Sequence, residues 1–326
     1  MVAALNPYWG KDFSQFFITF VQRLFLMIKG QTQELATDEI QLLVLLAVSV
    51  GCCLIGNFLV LRKMAMLANS LSHTILLGIV GAQAFWLFFL RENASETYAL
   101  SLPLLLLASL ISALLTAWLT RLVTKKARLE EGAGIGLVFT VLFALGLVSL
   151  TLFTRDSHIG VEVVMGNIDA LHRDDVALTW SVAAFDFVAI FLLYRVLKIT
   201  SFDLAFARTI GLPYQLVDAL FILLTAATVI ASFRAVGVLL VLAYLTGPAL
   251  TAQLISHRLS AVLGYSIIFS CLSSFIAVAL TRHLLTVYQM ALSTSGLAVV
   301  IIALLFIVVS GSIHMAKRFA KKGVYN

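Results

Sequence analysis

The chain contains 326 residues, of which 61% are hydrophobic and only 12% are charged, and its mean hydropathy is +1.05. Soluble domains hold roughly 45–50% apolar and about 25% charged residues, so this composition excludes a pair of soluble domains. The net charge of +6 would indicate nucleic acid binding in a soluble protein, whereas in a membrane protein basic residues collect on cytoplasmic loops. The sequence therefore predicts an all-α, polytopic membrane protein.

The N-terminal segment precedes any membrane-spanning stretch. Between Asp12 and Lys29, aromatic and aliphatic residues recur at helical spacing among Lys11, Gln15, Gln22 and Arg23. This pattern is typical of an amphipathic helix that lies in the membrane interface.

A membrane-spanning helix needs about 20 mainly apolar residues. About nine such stretches follow, or eight if the pair around Arg234 contains a re-entrant element, because a single arginine separates its two members. They lie near Ile40–Leu61, Leu71–Leu90, Leu100–Val123, Ala133–Phe153, Val176–Val196, Val217–Phe233, Val236–Ile255, Leu259–Leu280 and Ser293–Ile313.

Basic residues are concentrated in alternate loops and at the C-terminus. By the positive-inside rule these loops belong in the cytoplasm, which with nine spans places the N-terminus outside and the C-terminus inside. The cytoplasmic set is Arg62, Lys63, Arg121, Lys125, Lys126, Arg128, Arg195, Lys198, Arg208, Arg258 and the tail Lys317–Lys322.

Asn69 and His73 are the densest polar feature inside the predicted spans. They stand four residues apart, hence on one helix face, near the cytoplasmic end of the second span. A neutral imidazole with an amide oxygen beside it could coordinate a divalent ion in transit. The alternative is a histidine that is hydrogen-bonded between packed helices.

The loop from Ser201 to Pro213 predicts a short amphipathic helix on the cytoplasmic side, with Gly211 and Pro213 as its stop signals. A short helix held between two spans suits docking to a peripheral subunit, although an ordinary interfacial helix would have the same composition.

Other polar groups interrupt the apolar stretches singly. Asn57, Asp186 and Asp218 are interpreted as isolated groups that join neighbouring helices. Thr246-Gly247-Pro248 predicts a break in the seventh span, and broken helices at membrane depth often line a cavity.

Two catalytic functions lack their motifs. Gly51 to Gly56 has Walker A spacing, but Asn57-Phe58 follows, so the phosphate-binding lysine is missing and no nucleotide site is expected. An intramembrane protease pairing Ser295 with His73 or His283 would lack a nucleophile elbow and an oxyanion partner.

A secondary carrier is the alternative within transport. It would need a self-sufficient ion-coupling site, often with inverted repeats, and neither feature is evident in the sequence.

Four ordered segments resemble the membrane permease subunits of bacterial ABC transporters for zinc, manganese and iron. They are Leu61–Gly78 (LRKMAMLANSLSHTILLG), Glu131–Leu147 (EGAGIGLVFTVLFALGL), Phe202–Pro213 (FDLAFARTIGLP) and Ala235–Leu254 (AVGVLLVLAYLTGPALTAQL). The similarity runs from about Ile40 to Ile313.

The resemblance implies a non-enzymatic permease in the bacterial inner membrane that imports a divalent metal ion as substrate and holds no permanent cofactor. It implies a second permease, either identical or related, an ABC ATPase subunit that binds ATP, and an extracytoplasmic metal-binding protein. Phe202, Asp203, Ala207, Gly211 and Pro213 would belong to the helix that couples to the ATPase.

The resemblance also implies that Asn69 and His73 line the metal route, although the family motif has aspartate where this chain has Asn69. An amide offers a cation only a dipole, so the site is neutral. Either the affinity for the ion in transit is low, or a related permease in the dimer supplies the missing carboxylate. One imidazole and one amide do not specify the metal. The expected organisation is an extension over 1–39, a permease domain over 40–315 and a basic cytoplasmic tail over 316–326.

Overall fold

A computed structural model describes residues 6–29, 35–89, 102–153, 168 and 171–323. This part of the chain forms eleven α-helices and contains no β-strand. The helices are Phe13–Ile28 (α1), Thr37–Leu61 (α2), Ala65–Phe89 (α3), Leu102–Ala127 (α4), Glu131–Phe153 (α5), Arg173–Phe202 (α6), Leu204–Thr209 (α7), Tyr214–Val236 (α8), Val238–Ile255 (α9), Leu259–Val287 (α10) and Thr294–Gly323 (α11).

Within the described residues, eight helices are long and apolar enough to cross a membrane, namely α2, α4 to α6 and α8 to α11. Helix α3 has 25 residues and coincides with the predicted second span; at about 1.5 Å per residue it is long enough to cross a hydrocarbon core. The prediction of an all-α polytopic membrane protein is confirmed.

The chain divides into two compact units. The first unit comprises Met1–Asn57, Asn167–Ala184 and Leu239–Asn326, and the second comprises Phe58–Gly166 and Phe185–Val238. Helices α2 and α6 each contribute residues to both units.

In the first unit, the N-terminal segment is fastened to the start of α2 by two buried carboxylates, Asp38 and Glu39, each 3% exposed. The Tyr8 hydroxyl and the Arg23 Nε donate to Glu39 at 2.8 and 2.5 Å. Arg282 of α10 donates through its Nε to Asp38 Oδ1 at 3.0 Å. Both carboxylates also lie in the first turn of α2, where the helix dipole favours negative charge.

This arrangement alters the ionisation of the two donors. Burial, together with Glu39, raises the pKa of the Tyr8 phenol. The hydrogen bond to Glu39 raises the pKa of the Arg23 guanidinium. Helix α1 is therefore held by charge-assisted hydrogen bonds, while Ile18, Val21 and Phe25 remain exposed along it.

The core of the first unit includes polar contacts between long helices. Asn57 Nδ2 donates to Ser266 Oγ at 2.7 Å, and the Tyr244 hydroxyl lies 2.6 Å from Ser274 Oγ. Hydrogen bonds across packed spans are typical of membrane proteins. The interpretation of Asn57 as a group that joins neighbouring helices is confirmed.

The predicted break at Thr246-Gly247-Pro248 is wrong, because α9 continues through Pro248 from Val238 to Ile255. The hydroxyls of Thr246 and Thr251 donate to backbone carbonyls of the preceding turns. Membrane-spanning helices often tolerate a proline when threonine side chains and neighbouring helices surround it. The chain instead breaks between α8 and α9 at Gly237, whose φ of 83° favours glycine.

In the second unit, α3 packs closely against α4 and α5. A Cβ on Gly78 would lie 2.6 Å from Ser112 Oγ of α4, and one on Gly146 would lie 3.3 Å from the Leu77 nitrogen of α3. These glycines allow the backbones to approach, as small residues do in membrane helix packing. The buried Asp186 accepts a hydrogen bond of 2.7 Å from Thr228 of α8, as predicted for a group that joins helices.

Candidate metal path and coupling segment

Helix α3 carries both predicted metal-path residues. It begins at Ala65, directly after the turn at Lys63, whose φ is 58°. Asn69 and His73 are one turn apart on this helix, and both side chains are half-buried. The helix thus places them on one face, as the spacing predicts.

The His73 ring packs against two phenylalanines of α5 that stack on each other. Its centroid lies 5.3 Å from that of Phe139 and 5.2 Å from that of Phe143. Its Nδ1 is buried and has no hydrogen-bond partner in the described part of the protein. Buried polar groups are normally hydrogen-bonded, so the described residues do not supply the hydrogen bond that a helix-joining histidine would make through this nitrogen.

The described side chains around α3 do not form a complete metal cage. Among the described residues, no group of three histidine, cysteine or carboxylate side chains lies together. Asn69 and His73 therefore offer one amide and one imidazole, which makes a weak, neutral donor pair. Such a pair fits an ion that passes and is released better than one that is stored.

The predicted coupling segment forms the short helix α7, over Leu204–Thr209. Asp203 is its N-cap, and its carboxylate accepts a 2.8 Å hydrogen bond from the Phe206 backbone N–H. Gly211 has a φ of 74° and Pro213 precedes α8. The expected stop signals therefore act as predicted.

Helix α7 is anchored on one side and exposed on the other. Ala207 is fully buried, and the Arg208 guanidinium lies 4.7 Å from the centre of the Tyr214 ring. Four large apolar side chains around it are exposed, namely Phe202, Leu204, Phe206 and Ile210.

Asp218 joins neighbouring helices, as the sequence predicts, and it does so through two arginines. Arg62 Nη1 donates to its Oδ1 at 2.9 Å, and Arg121 donates to its Oδ2. Arg62 also donates to the hydroxyls of Thr200 and Ser201, and its guanidinium stacks over the Phe221 ring at 4.6 Å. Burial lowers the pKa of Arg62, and Asp218 acts in the opposite direction.

The sequence pattern predicts a cytoplasmic location for Arg62 and Arg121, but it does not predict that both arginines pair with Asp218. The available signal was the position of all three residues at helix ends assigned to the cytoplasm. The cluster ties the ends of α2, α4, α6 and α8 together beside α7.

Known proteins share this sequence pattern. The ABC 3 transport family matches residues 39–312. The chain belongs to the ABC 3 transport family. Among relatives of this ABC 3 protein, a "Probable metal transport system membrane protein" of Chlamydia muridarum is 39% identical over 94% of each chain. The manganese transport system membrane protein MntD of Bacillus subtilis is 36% identical over 70% of this chain and 77% of its own.

The match to a second chlamydial relative includes the N-terminal extension. A "Probable metal transport system membrane protein" of Chlamydia pneumoniae is 38% identical over 98% of this chain and 96% of its own. A match of that length must include most of the segment before Ile40.

A solved structure shows the same fold. One chain of "PsaBC from Streptococcus pneumoniae in complex with Fab" superposes with a TM-score of 0.68 at 22% identity, covering 88% of this chain and 95% of the other. Together with the family and its eight or more spanning helices, these relations identify a multi-pass permease of the metal ABC importer family.

Proposed function

We propose that this permease serves an ATP-driven importer and receives the energy of ATP hydrolysis through α7 from a separate ATPase subunit. The observation that carries the proposal is the construction of α7. The exposed Phe206 of α7 and the exposed Phe202, the last residue of α6, are positioned to enter a partner surface, while Ala207 anchors α7 on its own unit. Exposed aromatics on a rigid base are typical contact anchors between proteins.

The transported substrate is, in this proposal, manganese(II) or iron(II). The relatives' names support this choice, since they include manganese transport proteins and the chelated iron transport protein YfeD of Yersinia pestis. The donor pair does not choose between metals, because imidazole suits zinc as well as iron, but a neutral pair binds weakly enough to release the ion.

The proposed assembly contains two permeases, the ATPase and an extracytoplasmic metal-binding protein, in the bacterial inner membrane with the C-terminus in the cytoplasm. The second permease is either another copy or a related chain. The related chain would be needed if transport required a carboxylate at the position of Asn69.

The test is the double variant Phe202→Ala/Phe206→Ala, reconstituted with the ATPase in proteoliposomes. We expect ATP-dependent metal uptake to fall by more than tenfold, because removing two aromatic anchors weakens subunit contact by about 2 kcal/mol or more. The permease should remain inserted, and the ATPase should co-purify less well.

The matched control is Phe187→Ala/Phe191→Ala. These phenylalanines of α6 are also exposed, at 54% and 73%, but lie outside the coupling segment. Uptake should be unchanged in the control. If the coupling pair transported normally while still binding the ATPase, α7 would not be the coupling element.

A further inference from the structure

The second unit contains a cavity of about 670 Å³ beside the Arg62–Asp218 cluster. Its size falls in the range of roughly 300–1,000 Å³ found for small-ligand sites. The walls come from the ends of α2, α4, α6 and α7 and from the starts of α3, α5 and α8. By the charge pattern of the loops, these are cytoplasmic helix ends.

The charge of the cavity is strongly one-sided. Five cationic side chains line it, against the single carboxylate of Asp218; they are Arg62, Lys63, Arg121, Lys125 and Arg208. Asp218 is already shared by Arg62 and Arg121. Lys63 and Lys125 are exposed and have no carboxylate partner among the described residues, so the excess positive charge is uncompensated.

The uncharged lining indicates what kind of anion fits. The hydroxyls of Thr120 and Thr124 are buried without a hydrogen-bond partner in the described structure, and Thr120 is only 7% exposed. Buried hydroxyls are normally paired, so these two call for an acceptor. Apolar residues such as Leu67 and Ile135 complete the walls, which gives the cavity an amphiphilic lining.

We propose that this cavity binds a phosphate-bearing anion, with Lys63 and Lys125 balancing its charge and Thr120 donating to a phosphate oxygen. The shared chemistry is a phosphodiester or phosphate group, supplied either by the headgroup of an anionic lipid or by a phosphate compound from solution. Basic pockets between spanning helices on the cytoplasmic side bind anionic lipid headgroups. The proposal does not depend on which metal the permease carries.

The test measures lipid retention by the full-length permease with native mass spectrometry. The protein is purified in detergent and titrated with cardiolipin, with phosphatidylcholine as the zwitterionic comparison. In Lys63→Gln/Lys125→Gln we expect cardiolipin affinity to fall about fivefold per lysine, or about 25-fold for the pair. Both residues are exposed, so the fold should persist.

The matched control is Arg258→Gln, which removes one exposed cation outside the cavity and should leave cardiolipin retention unchanged.

Competition with inorganic phosphate distinguishes a lipid headgroup from a phosphate compound in solution. If inorganic phosphate does not compete with cardiolipin, the ligand is a lipid headgroup. If it binds the wild type, displaces cardiolipin and fails to bind the double variant, the phosphate comes from solution.

Three results would overturn the proposal: no anion is retained, the double variant retains as much as the wild type, or bound ATPase always expels the lipid. The last would assign the cavity to an acidic surface of the partner subunit. Metal uptake is not among these readouts, so such a failure would leave the proposed transport function untouched.

Thr120→Val provides a second, independent measurement. It keeps the side-chain volume and removes the unpaired hydroxyl, so a purely structural role predicts equal or greater thermal stability without lipid. We expect the stabilisation by cardiolipin to shrink, with affinity about two- to tenfold lower, as for one lost hydrogen bond. An unchanged cardiolipin affinity would exclude Thr120 from the site.

Discussion

At the scale of single residues, the proposed metal path rests on His73. Its ring packs against Phe139 and Phe143, and its Nδ1 has no partner in the described structure. Packing and metal coordination are therefore both compatible with its position, and an experiment must separate them.

His73→Phe makes this separation, since it preserves aromatic packing and removes both nitrogen donors. We expect metal uptake to fall by more than about tenfold, the loss that removal of even an outer-sphere partner causes. Radiolabelled uptake at equal protein abundance measures it. Wild-type transport by His73→Phe would show that His73 serves packing alone.

Asn69→Asp supplies the comparison at the neighbouring position. The added carboxylate lies one turn from the imidazole and attracts a divalent cation, so we expect tighter metal retention. Tighter binding slows release in a conduit, so uptake should not become faster. Equilibrium binding and uptake rate, measured on the same preparation, distinguish the two effects.

At the scale of elements, the short helix α7 and the fastened helix α1 show what sequence patterns can and cannot predict. The extent of α7 follows from local signals, namely the Asp203 cap, Gly211 and Pro213. Helix α1 is fastened to the start of α2 by Arg23 and Glu39, and the start of α2 is joined to α10 by Asp38 and Arg282, which are 244 residues apart. No local pattern reports such a contact.

The cap of α7 can be tested by two substitutions at Asp203. Asparagine caps helices about as well as aspartate, whereas alanine costs about 1 kcal/mol. We therefore expect Asp203→Ala to reduce ATP-driven uptake several-fold and Asp203→Asn to retain it. Equal loss in both variants would mean that the charge of Asp203, and not its capping, matters for coupling.

The fastening of α1 predicts a change in protease sensitivity. Glu39→Gln removes the carboxylate charge that pairs with the Arg23 guanidinium, and breaking a fully buried ion pair costs about 3–5 kcal/mol. Tryptic cleavage after Lys29 should become at least about tenfold faster. Asp12→Asn removes an exposed carboxylate from the same segment and should cleave at the wild-type rate; equal rates in all three proteins would contradict the fastening.

At the scale of the whole molecule, the apolar runs predicted the helices well, because about 20 apolar residues in succession have few alternatives to a spanning helix. The ion pairs of Asp218 and the continuous path of α9 through Pro248 could not be predicted. Both depend on which helices meet, and tertiary packing, not local sequence, decides that.

The orientation of the chain in the membrane can be tested by cysteine labelling. In a background where Cys52, Cys53 and Cys271 are replaced by alanine, a cysteine at Ser95 should react with a membrane-impermeant thiol reagent in intact cells. A cysteine at Lys126 should react only after permeabilisation, because its loop carries the basic excess. The reverse pattern would invert the topology.

The central claim is that this permease moves metal with energy taken from a partner's ATP hydrolysis. The most direct measurement is uptake of radiolabelled manganese by proteoliposomes that contain the permease and its ATPase. We predict uptake only when both subunits and ATP are present, with no response to an imposed proton gradient. Metal uptake by the permease alone, driven by that gradient without ATP, would contradict the account and identify a secondary carrier.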